Sequence, residues 1–513
     1  MTYLFPLLLA SLVSLQPITS IKIEGTHLFS EEEIIRKLQL THPVISEQND
    51  IEKRVQRILE FYKSEGYLDV SLTYEIHKNI LILSITEGEL YRIGTIKIKG
   101  NRFIKNTIFL ELLLLHRSRT FTLRNFEHSV SDVLDFYGNS GFPFARIVPV
   151  YFTLSEKTID IELEIEEGPR LRWGNVLVRG NTITRDYIIQ KQMRIPKRKY
   201  FSERQLHVSR VWLEKLPFIA ITDTFSLKRG TESGTLDILV SITEVKSNRM
   251  SGIIGYIPPI EEKTGGYIGI ITAEMLNLFG TGRALRVKWA KQLPPYTKLD
   301  VTYTEPWVFG SMATVGFSLF HLIEDTMYTF SKAQLKVTTD VSINLSLSIL
   351  TGWEKFSPAA IDIPPAKKYS FGTELRIATL DYAPNPRKGI DYRFYTEYGK
   401  KTSIDIMKFS LHLLNVTPFF ANNVLAFLVS GKASRTNEPP LPEYEQFTLG
   451  GYNSLRGYRQ RQFRTIQLLR ISPEYRFIVS KKSRLYFFYD AAYFKTASYP
   501  HNATENYYKD GYG

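Results

Sequence analysis

The chain has 513 residues, of which 43% are hydrophobic and 13% aromatic, and it contains no cysteine. This composition excludes a disordered chain, a collagen and a coiled coil. The lack of thiols excludes a disulfide framework, a cysteine-ligated zinc site and an iron–sulfur cluster. The formal net charge of +13 favours an anionic partner, such as a nucleic acid or the phosphates of a membrane surface.

Residues 1–20 are predicted to be a signal peptide. An apolar stretch at 3–10 resumes through Val13 and Leu15, and it is too short to span a membrane. No Lys or Arg precedes this stretch, so the alternative is a buried strand or helix of a cytosolic domain. We favour secretion because a separate pattern begins at residue 21.

That pattern occurs three times in tandem. A short strand ends at Gly25, Gly100 and Gly180, and a short helix and a longer amphipathic helix follow. Two alternating strands close each unit. The pattern predicts three β-α-α-β-β modules, at residues 21–90, 91–169 and 170–246.

The longer helices carry the clearest periodicity. Their predicted apolar faces are Ile51, Val55, Ile58, Leu59 and Tyr62 in the first module, Phe126, Val130, Val133, Leu134 and Tyr137 in the second, and Val211, Trp212 and Leu216 in the third. At the start of the first short helix, Ser30 and Glu33 have the spacing of a capping box.

From about Ser247 a two-residue alternation replaces the helical pattern, as where Leu285, Val287 and Trp289 interleave with polar residues. Segments of about ten residues with this alternation are typical of a transmembrane antiparallel β-barrel with a wet lumen. A soluble β-sandwich also alternates. Aromatic residues near strand ends and strands longer than those of soluble sheets favour the barrel.

About thirteen such strands precede residue 495, whereas bacterial single-chain barrels have an even number. Residues 510–513 resemble the first residues of another strand. An open sheet edge would leave backbone groups unsatisfied in lipid. We therefore expect residues 247–513 to form a barrel that is incomplete at its C-terminus.

Enzyme motifs are lacking. The nine histidines are scattered, without an H-E-x-x-H pair, and the sequence contains no G-x-S-x-G and no P-loop. Gly280-Thr-Gly282 is interpreted as a hairpin turn rather than a phosphate-binding loop. The sequence predicts a protein that is not an enzyme, with no metal site and no cofactor.

One glycine-rich segment stands out between two predicted strands. Gly450, Gly451 and Gly457 surround Arg456, which suggests a tightly packed backbone with this arginine directed at a buried acid. Alternation along the next strand places Glu474 on the lumenal face, and Asp490 is a second candidate acid. The alternative is an extracellular loop whose basic residues bind lipid phosphates.

Leu455-Arg456-Gly457-Tyr458 resembles the Val-Arg-Gly-Phe/Tyr signature of the BamA/TamA family of outer-membrane assembly proteins. Residues 277–282 and 305–310 are similar to early barrel strands of that family, and the three modules resemble its periplasmic POTRA domains. The resemblance implies sixteen strands, a signature loop folded into the lumen, and pairing of Arg456 with Glu474 and Asp490. The signature loop residues are Gly450, Gly451, Leu455, Arg456, Gly457 and Tyr458.

Two features depart from the family pattern. The aspartate motif usually ends in Asp-x-Gly, whereas this sequence has Asp490-Ala-Ala492. A C-terminal strand with a terminal aromatic residue is not found. The first departure changes the packing that the family pattern predicts around Asp490. The second concerns the seam of the barrel, where the first and last strands would pair.

The resemblance implies an outer-membrane assembly, insertion or translocation factor in a Gram-negative-type cell, with the POTRA modules in the periplasm. Its implied partners are unfolded outer-membrane clients, outer-membrane lipids and accessory proteins of the periplasm or inner membrane, but no nucleic acid. Such clients can add a strand to a module's sheet edge. The pattern does not decide whether the protein is an essential insertase, a translocation-and-assembly relative or a paralogue. The presence of three modules favours the translocation-and-assembly relative.

The main alternative is a two-partner-type secretion pore for one dedicated exported protein. Three modules and the lack of a recognisable plug helix count against it. A passive surface receptor or adhesin would have little use for three periplasmic modules, and an envelope enzyme ranks last.

Overall fold

The computed structural model describes residues 17–18, 20–38, 44–45, 48–112, 120–155, 157–258, 265–292, 296–324, 328–359, 365–401, 404–498 and 503–513. The predicted signal peptide lies almost entirely outside these residues and stays a prediction. No helix within the described ranges is long and apolar enough to cross a membrane.

The chain divides into two compact units. The first comprises the described residues up to Asn175 together with 195–207 and 227–238. The second comprises residues 176–194, 208–226 and the described residues from 239 onwards. The boundary between the units therefore passes through the third repeat of the sequence pattern.

The first two repeats fold alike. The first contains β1 (Pro17–Ile18), β2 (Ser20–Glu24), α1 (Glu31–Leu38), β3 (Val44–Ile45), α2 (Gln48–Ser64), β4 (Ser71–His77) and β5 (Ile80–Thr86). The second contains β6 (Arg92–Lys99), α3 (Asn106–Leu112), α4 (Leu123–Asn139), β7 (Arg146–Ser155) and β8 (Thr158–Glu166). Their sheets have the orders β2-β5-β4 and β6-β8-β7, with the first strand parallel to the central one. The predicted β-α-α-β-β order is confirmed in the second repeat. The first repeat has the same order with two additional two-residue strands, β1 and β3, which pair with each other.

The long helices bury their predicted faces against these sheets. In α2, Ile58 and Tyr62 are almost fully buried, and in α4 Val133 and Tyr137 are equally buried. The capping box at α1 is also confirmed. The Glu33 N–H donates to Ser30 Oγ at 3.3 Å, and the Ser30 N–H donates to the Glu33 carboxylate at 3.2 Å.

The third repeat contains β9 (Arg172–Arg179), α5 (Asp186–Met193), α6 (Glu203–Glu214), β10 (Ile219–Ile221), β11 (Ser226–Arg229) and β12 (Thr235–Glu244). Strand β12 pairs with β9, β10 and β11. Three strands therefore follow the helices instead of the predicted two, because the short β10 pairs with the end of β12, Ile219 opposite Glu244. Leu216, predicted to lie on the helix, follows the end of α6.

Each repeat is closed by the same device. In each repeat a glutamate lies at the end of the last strand or directly after it. Its carboxylate accepts hydrogen bonds from two successive backbone N–H groups in the turn after the first strand. The sets are Glu87 with His27 and Leu28, Glu167 with Arg102 and Phe103, and Glu244 with Ile183 and Thr184. Gly180 has a φ of +90°, and a Cβ there would lie 2.0 Å from the Ile242 carbonyl oxygen. The turn therefore requires glycine.

We expect the fold around Glu244 to lose stability in acid. Burial alone would raise the pKa of Glu244, but hydrogen bonds from Thr182 Oγ1 and the N–H groups of Thr184 and Ile183 lower that pKa to about 2. An unfolded glutamate has a pKa of about 4.3. The charged carboxylate thus stabilises the fold above about pH 4.3, and this contribution is lost as the pH falls towards the folded pKa.

Hydrogen exchange at the Ile183 and Thr184 amides tests this expectation. Exchange corrected for its intrinsic pH dependence should accelerate between about pH 4.3 and pH 2 in the natural chain. Glu244→Gln should exchange faster already at neutral pH and respond less to acid. An unchanged pH response in the variant would contradict the assignment.

The second unit contains a fourteen-stranded antiparallel sheet of the β-barrel type. Its strands are β13 (Arg249–Ile257), β14 (Gly266–Leu278), β15 (Arg283–Gln292), β16 (Tyr296–Glu305), β17 (Ala313–Glu324), β18 (Tyr328–Asp340), β19 (Leu345–Pro358), β20 (Ala366–Ala378), β21 (Gly389–Lys401), β22 (Ile404–Phe420), β23 (Asn423–Thr436), β26 (Gln467–Ser480), β27 (Ser483–Ala497) and β28 (Thr504–Tyr512). The loop before β26 holds a small hairpin of β24 (Phe447–Leu449) and β25 (Phe463–Thr465).

The sequence-based count agrees with thirteen strands up to β27. Residues 510–513, interpreted as the first residues of another strand, instead contain the end of β28, which begins at Thr504. The error arose because the residues from Thr504 to Lys509 lack the regular alternation that marks the other strands.

Alternation along the strands gives the sheet one apolar and one polar face. On β26, Leu469 and Phe477 are exposed, whereas Arg470 and Ser472 are buried. The predicted parity of this strand is confirmed. The polar face is the covered one, as in a barrel whose apolar side chains face lipid.

Turns of this sheet contact the α5–α6 region within the second unit. Gly280-Thr-Gly282 forms the predicted hairpin turn, and its Gly280 carbonyl accepts a hydrogen bond from the Arg185 N–H at 3.0 Å. Arg194 reaches Asp340, the last residue of β18 before the next turn, and donates to its carboxylate at 3.1 Å. Its guanidinium also stacks on Trp212 at 3.5 Å. These contacts fix α5 on two turns of the sheet.

Candidate functional site

The candidate site lies in the loop of residues 437–466, which connects β23 to β26. The loop contains a 3-10 turn at Glu443–Glu445 and the β24–β25 hairpin. Its side chains contact the polar face of strands that are far apart in the sheet, among them β20 and β26. The loop is therefore folded back over this polar face, which is the inner face of the sheet, rather than extended away from the sheet.

Arg456 makes a dense set of contacts with two carboxylates. Its Nε and Nη2 donate to Oδ2 and Oδ1 of Asp490 at 2.8 and 2.6 Å, and its Nη1 donates to Glu474 Oε1 at 2.7 Å. The Arg456 backbone N–H also donates to Asp490 Oδ2, at 3.0 Å. Paired charge-assisted bonds of this kind fix orientation as well as position.

Local structure explains why these groups meet. Glu474 lies on β26 and Asp490 on β27, and both point to the inner face by strand parity. Asp490 is fully buried, so its charge requires a partner. Arg476 donates to Glu474 Oε2 at 2.6 and 2.8 Å. Two arginines thus balance two carboxylates.

Phe488 was missed in the sequence analysis. The Arg456 guanidinium lies over its ring, 3.6 Å from the centroid. A cation over an aromatic face at this distance is attracted by the ring's quadrupole. Phe488 lies two residues before Asp490 on β27, so strand parity could have placed both on one face.

Gly511 was also missed. It lies opposite Asp490 in the β27–β28 register, and a Cβ on it would be 2.2 Å from the Arg456 carbonyl oxygen. The absence of a side chain thus lets the loop backbone approach β28 closely. Glycine in a strand signals such an approach, and this signal was available in the sequence.

The remaining signature residues frame the arginine. Leu455 is fully buried in an apolar cluster with Leu449, Leu468, Ala492 and Phe494, and Tyr458 packs against this cluster. Ala492, which replaces the glycine of the family's aspartate motif, is thus part of that packing.

The three glycines of the signature loop have positive φ values: +113° at Gly450, +101° at Gly451 and +88° at Gly457. A Cβ at Gly450 would lie 2.5 Å from the Arg459 carbonyl oxygen. The tight turn at Gly450 therefore requires a residue without a side chain.

The arrangement is suited to holding a structure in place. Its polar groups are engaged in ion pairs that tie the loop to β26 and β27. Within the described part of the chain, no cluster of three or more His, Asp or Glu side chains could hold a metal ion.

Comparison with known proteins gives a family-model match in each of the two units. Residues 277–513 match the Omp85 superfamily domain, and residues 16–88 and 91–168 match the POTRA model, described as a surface antigen variable number repeat. The outer membrane protein assembly factor BamA of Neisseria meningitidis serogroup B is 20% identical over 407 residues, covering 76% of this chain and 49% of that protein. BamA of Nitratidesulfovibrio vulgaris is 23% identical over 483 residues, covering 86% of this chain and 60% of that protein.

The chain therefore spans about half to three fifths of the length of these curated relatives. The crystal structure of BamA from Haemophilus ducreyi lacking POTRA domains 1–3 matches with a TM-score of 0.53 at 16% identity, covering 78% of this chain and 87% of that one. This similarity shows a shared fold. The chain thus contains an Omp85 superfamily domain, and POTRA repeats precede it.

Proposed function

We propose that this protein is an outer-membrane factor that inserts or translocates client proteins, with its POTRA modules in the periplasm. The observation that carries the proposal is the Arg456 ion cluster, which holds a loop against the inner face of an Omp85-type sheet. Relatives named as assembly factors and the apolar outer face of the sheet support it.

In this proposal the modules receive the client. Strand β7 lies at the edge of the second module's sheet, in the order β6-β8-β7. It exposes Tyr151 and Leu154, so an unfolded client segment could pair with its backbone and cover these side chains. The same chemistry suits many extended sequences, because backbone hydrogen bonds carry the affinity.

The Omp85 sheet then provides the route into lipid. Among the described residues, β13 pairs on one edge only, with β14. A client strand that pairs with such an edge satisfies its backbone groups before it enters hydrocarbon. Arg456, Glu474 and Asp490 hold the loop and the inner wall in register during this step. Neither a nucleotide nor a metal is required, since the folding of a barrel into lipid is downhill.

The same proposal assigns the rest of the chain. Residues 1–20 are a cleaved signal, 21–90, 91–169 and 170–246 are POTRA modules, and 247–513 belong to the barrel. Outer-membrane lipids and accessory proteins of the periplasm or inner membrane are the further partners.

Reconstitution of the protein into liposomes tests this function. Urea-unfolded outer-membrane β-barrel proteins of different sizes should fold faster into these liposomes than into empty ones. Acceleration of several unrelated clients supports an assembly factor. Passage of one exported protein into the liposome lumen, without accelerated barrel folding, would contradict the proposal and indicate a secretion pore.

A further inference from the structure

A second charged cluster lies under the same loop, away from Arg456. We propose that Lys368 and the carboxylates around it are a second anchor, independent of Arg456, that holds the first part of the loop against strands β18 to β22. The inference deepens the proposed function, because it assigns further positioning residues to the loop on which that function depends.

Lys368 is the centre of the cluster. Its Nζ lies 2.8 Å from Glu354 Oε2, 2.9 Å from Glu445 Oε2 and 3.3 Å from Glu397 Oε1. All four side chains are at most 7% exposed. Removing one partner of such a buried set leaves uncompensated charge in a region that water does not solvate.

Two further lysines balance the charge. Lys408 Nζ lies 2.6 Å from Glu445, and Lys332 Nζ lies 2.8 Å from Glu354. The three lysines therefore match the three glutamates. The Tyr395 hydroxyl donates to Glu397 at 2.5 Å and satisfies a remaining oxygen.

The origin of these residues shows what the cluster connects. Lys332, Glu354, Lys368, Glu397 and Lys408 come from five consecutive strands, β18 to β22. Glu445 comes from the 3-10 turn in the loop. Five residues of the wall thus form a site for one carboxylate of the loop.

The neighbours of Glu445 are fixed as well. Tyr444 stacks on Phe356 of β19 at 3.8 Å. Gln446 Nε2 donates to the carbonyl oxygens of Leu441 and Ala497, both at 3.0 Å. These contacts orient the turn so that Glu445 points into the cluster.

The two anchors act on different strands. Arg456 is tied to β26 and β27, whereas Glu445 is tied to β20 and β22. No described ion pair joins the two sets. Loss of one anchor should therefore free its own part of the loop and leave the other part in place.

Cysteine accessibility can separate the anchors, because the natural chain has no cysteine. Leu441→Cys reports on the first part of the loop and Leu455→Cys on the second, since both leucines are buried, at 4% and 0% exposed. Each cysteine reporter is combined with Lys368→Met or with Arg456→Ala in the full chain. The variants are kept in membranes, and the rate at which a water-soluble maleimide labels the cysteine is measured.

We expect Lys368→Met to accelerate labelling at position 441 by about tenfold or more and to leave position 455 protected, as local opening of one segment would. Arg456→Ala should give the reverse pattern. Lys336→Met is the matched control: Lys336 lies on β18 but forms a separate ion pair with Glu374. It should change neither rate.

Glu445→Gln provides a second test, because it removes the loop's charge and leaves every wall residue in place. Heat-modifiable migration of each variant shows whether the sheet is folded. Protection of position 441 in both folded Lys368→Met and folded Glu445→Gln would overturn the proposal, as would equal exposure of both reporters in every variant. Labelling is independent of client folding, so a failed liposome assay with this labelling pattern would refute the proposed function alone.

Discussion

Arg456→Ala is expected to remove most of the client-folding activity, whereas Arg459→Ala should retain it. The substitution leaves the buried Asp490 without its arginine and Glu474 with Arg476 alone, and breaking a buried pair in this way costs about 3 to 5 kcal/mol. Arg459 is exposed, and an exposed loop charge contributes little. The loss should appear as slower client folding into liposomes that contain the same amount of the reconstituted variant.

Arg456→Lys sharpens the comparison. Lysine keeps the charge but cannot reproduce the planar contacts to two carboxylates, so its activity should lie far below that of the natural chain. Complementation of a strain depleted of the protein measures the same ranking in cells. Equal phenotypes for Arg456→Ala, Arg459→Ala and Arg461→Ala would contradict a special role for Arg456.

Gly511→Ala is expected to disturb the loop through space alone. The added methyl group would lie 2.2 Å from the Arg456 carbonyl oxygen, closer than real Cβ contacts allow. Either the loop or β28 must then shift, and the bonds from Arg456 to Asp490 weaken with it. We expect a large loss of client folding, approaching that of Arg456→Ala.

Gly431→Ala is the matched control, because Gly431 also lies within a strand of the sheet. The nearest atom to a Cβ there is 3.8 Å away, which is ordinary contact. This variant should fold clients at the natural rate. Normal activity in Gly511→Ala, or equal losses in both variants, would show that the close approach of loop and β28 is unimportant.

The local architecture of this protein could be predicted from its amino-acid sequence. The change from helical to two-residue periodicity near residue 247 predicted β-α-α-β-β modules followed by a large antiparallel sheet, because each period follows from backbone geometry. Strand parity placed Glu474 on the inner face. The glycines around Arg456 indicated a tight turn, and the signature motif supplied the pairing of Arg456 with Glu474 and Asp490.

Which residues of the inner face meet could not be predicted without the three-dimensional fold. Lys368 and Glu445 are 77 residues apart, and their contact depends on the register of five strands and on the path of a loop. Gly511 matters because β27 pairs with β28 in one particular register. Periodicity fixes the face of a side chain but not its neighbours across the sheet, since a shift in pairing register changes every partner.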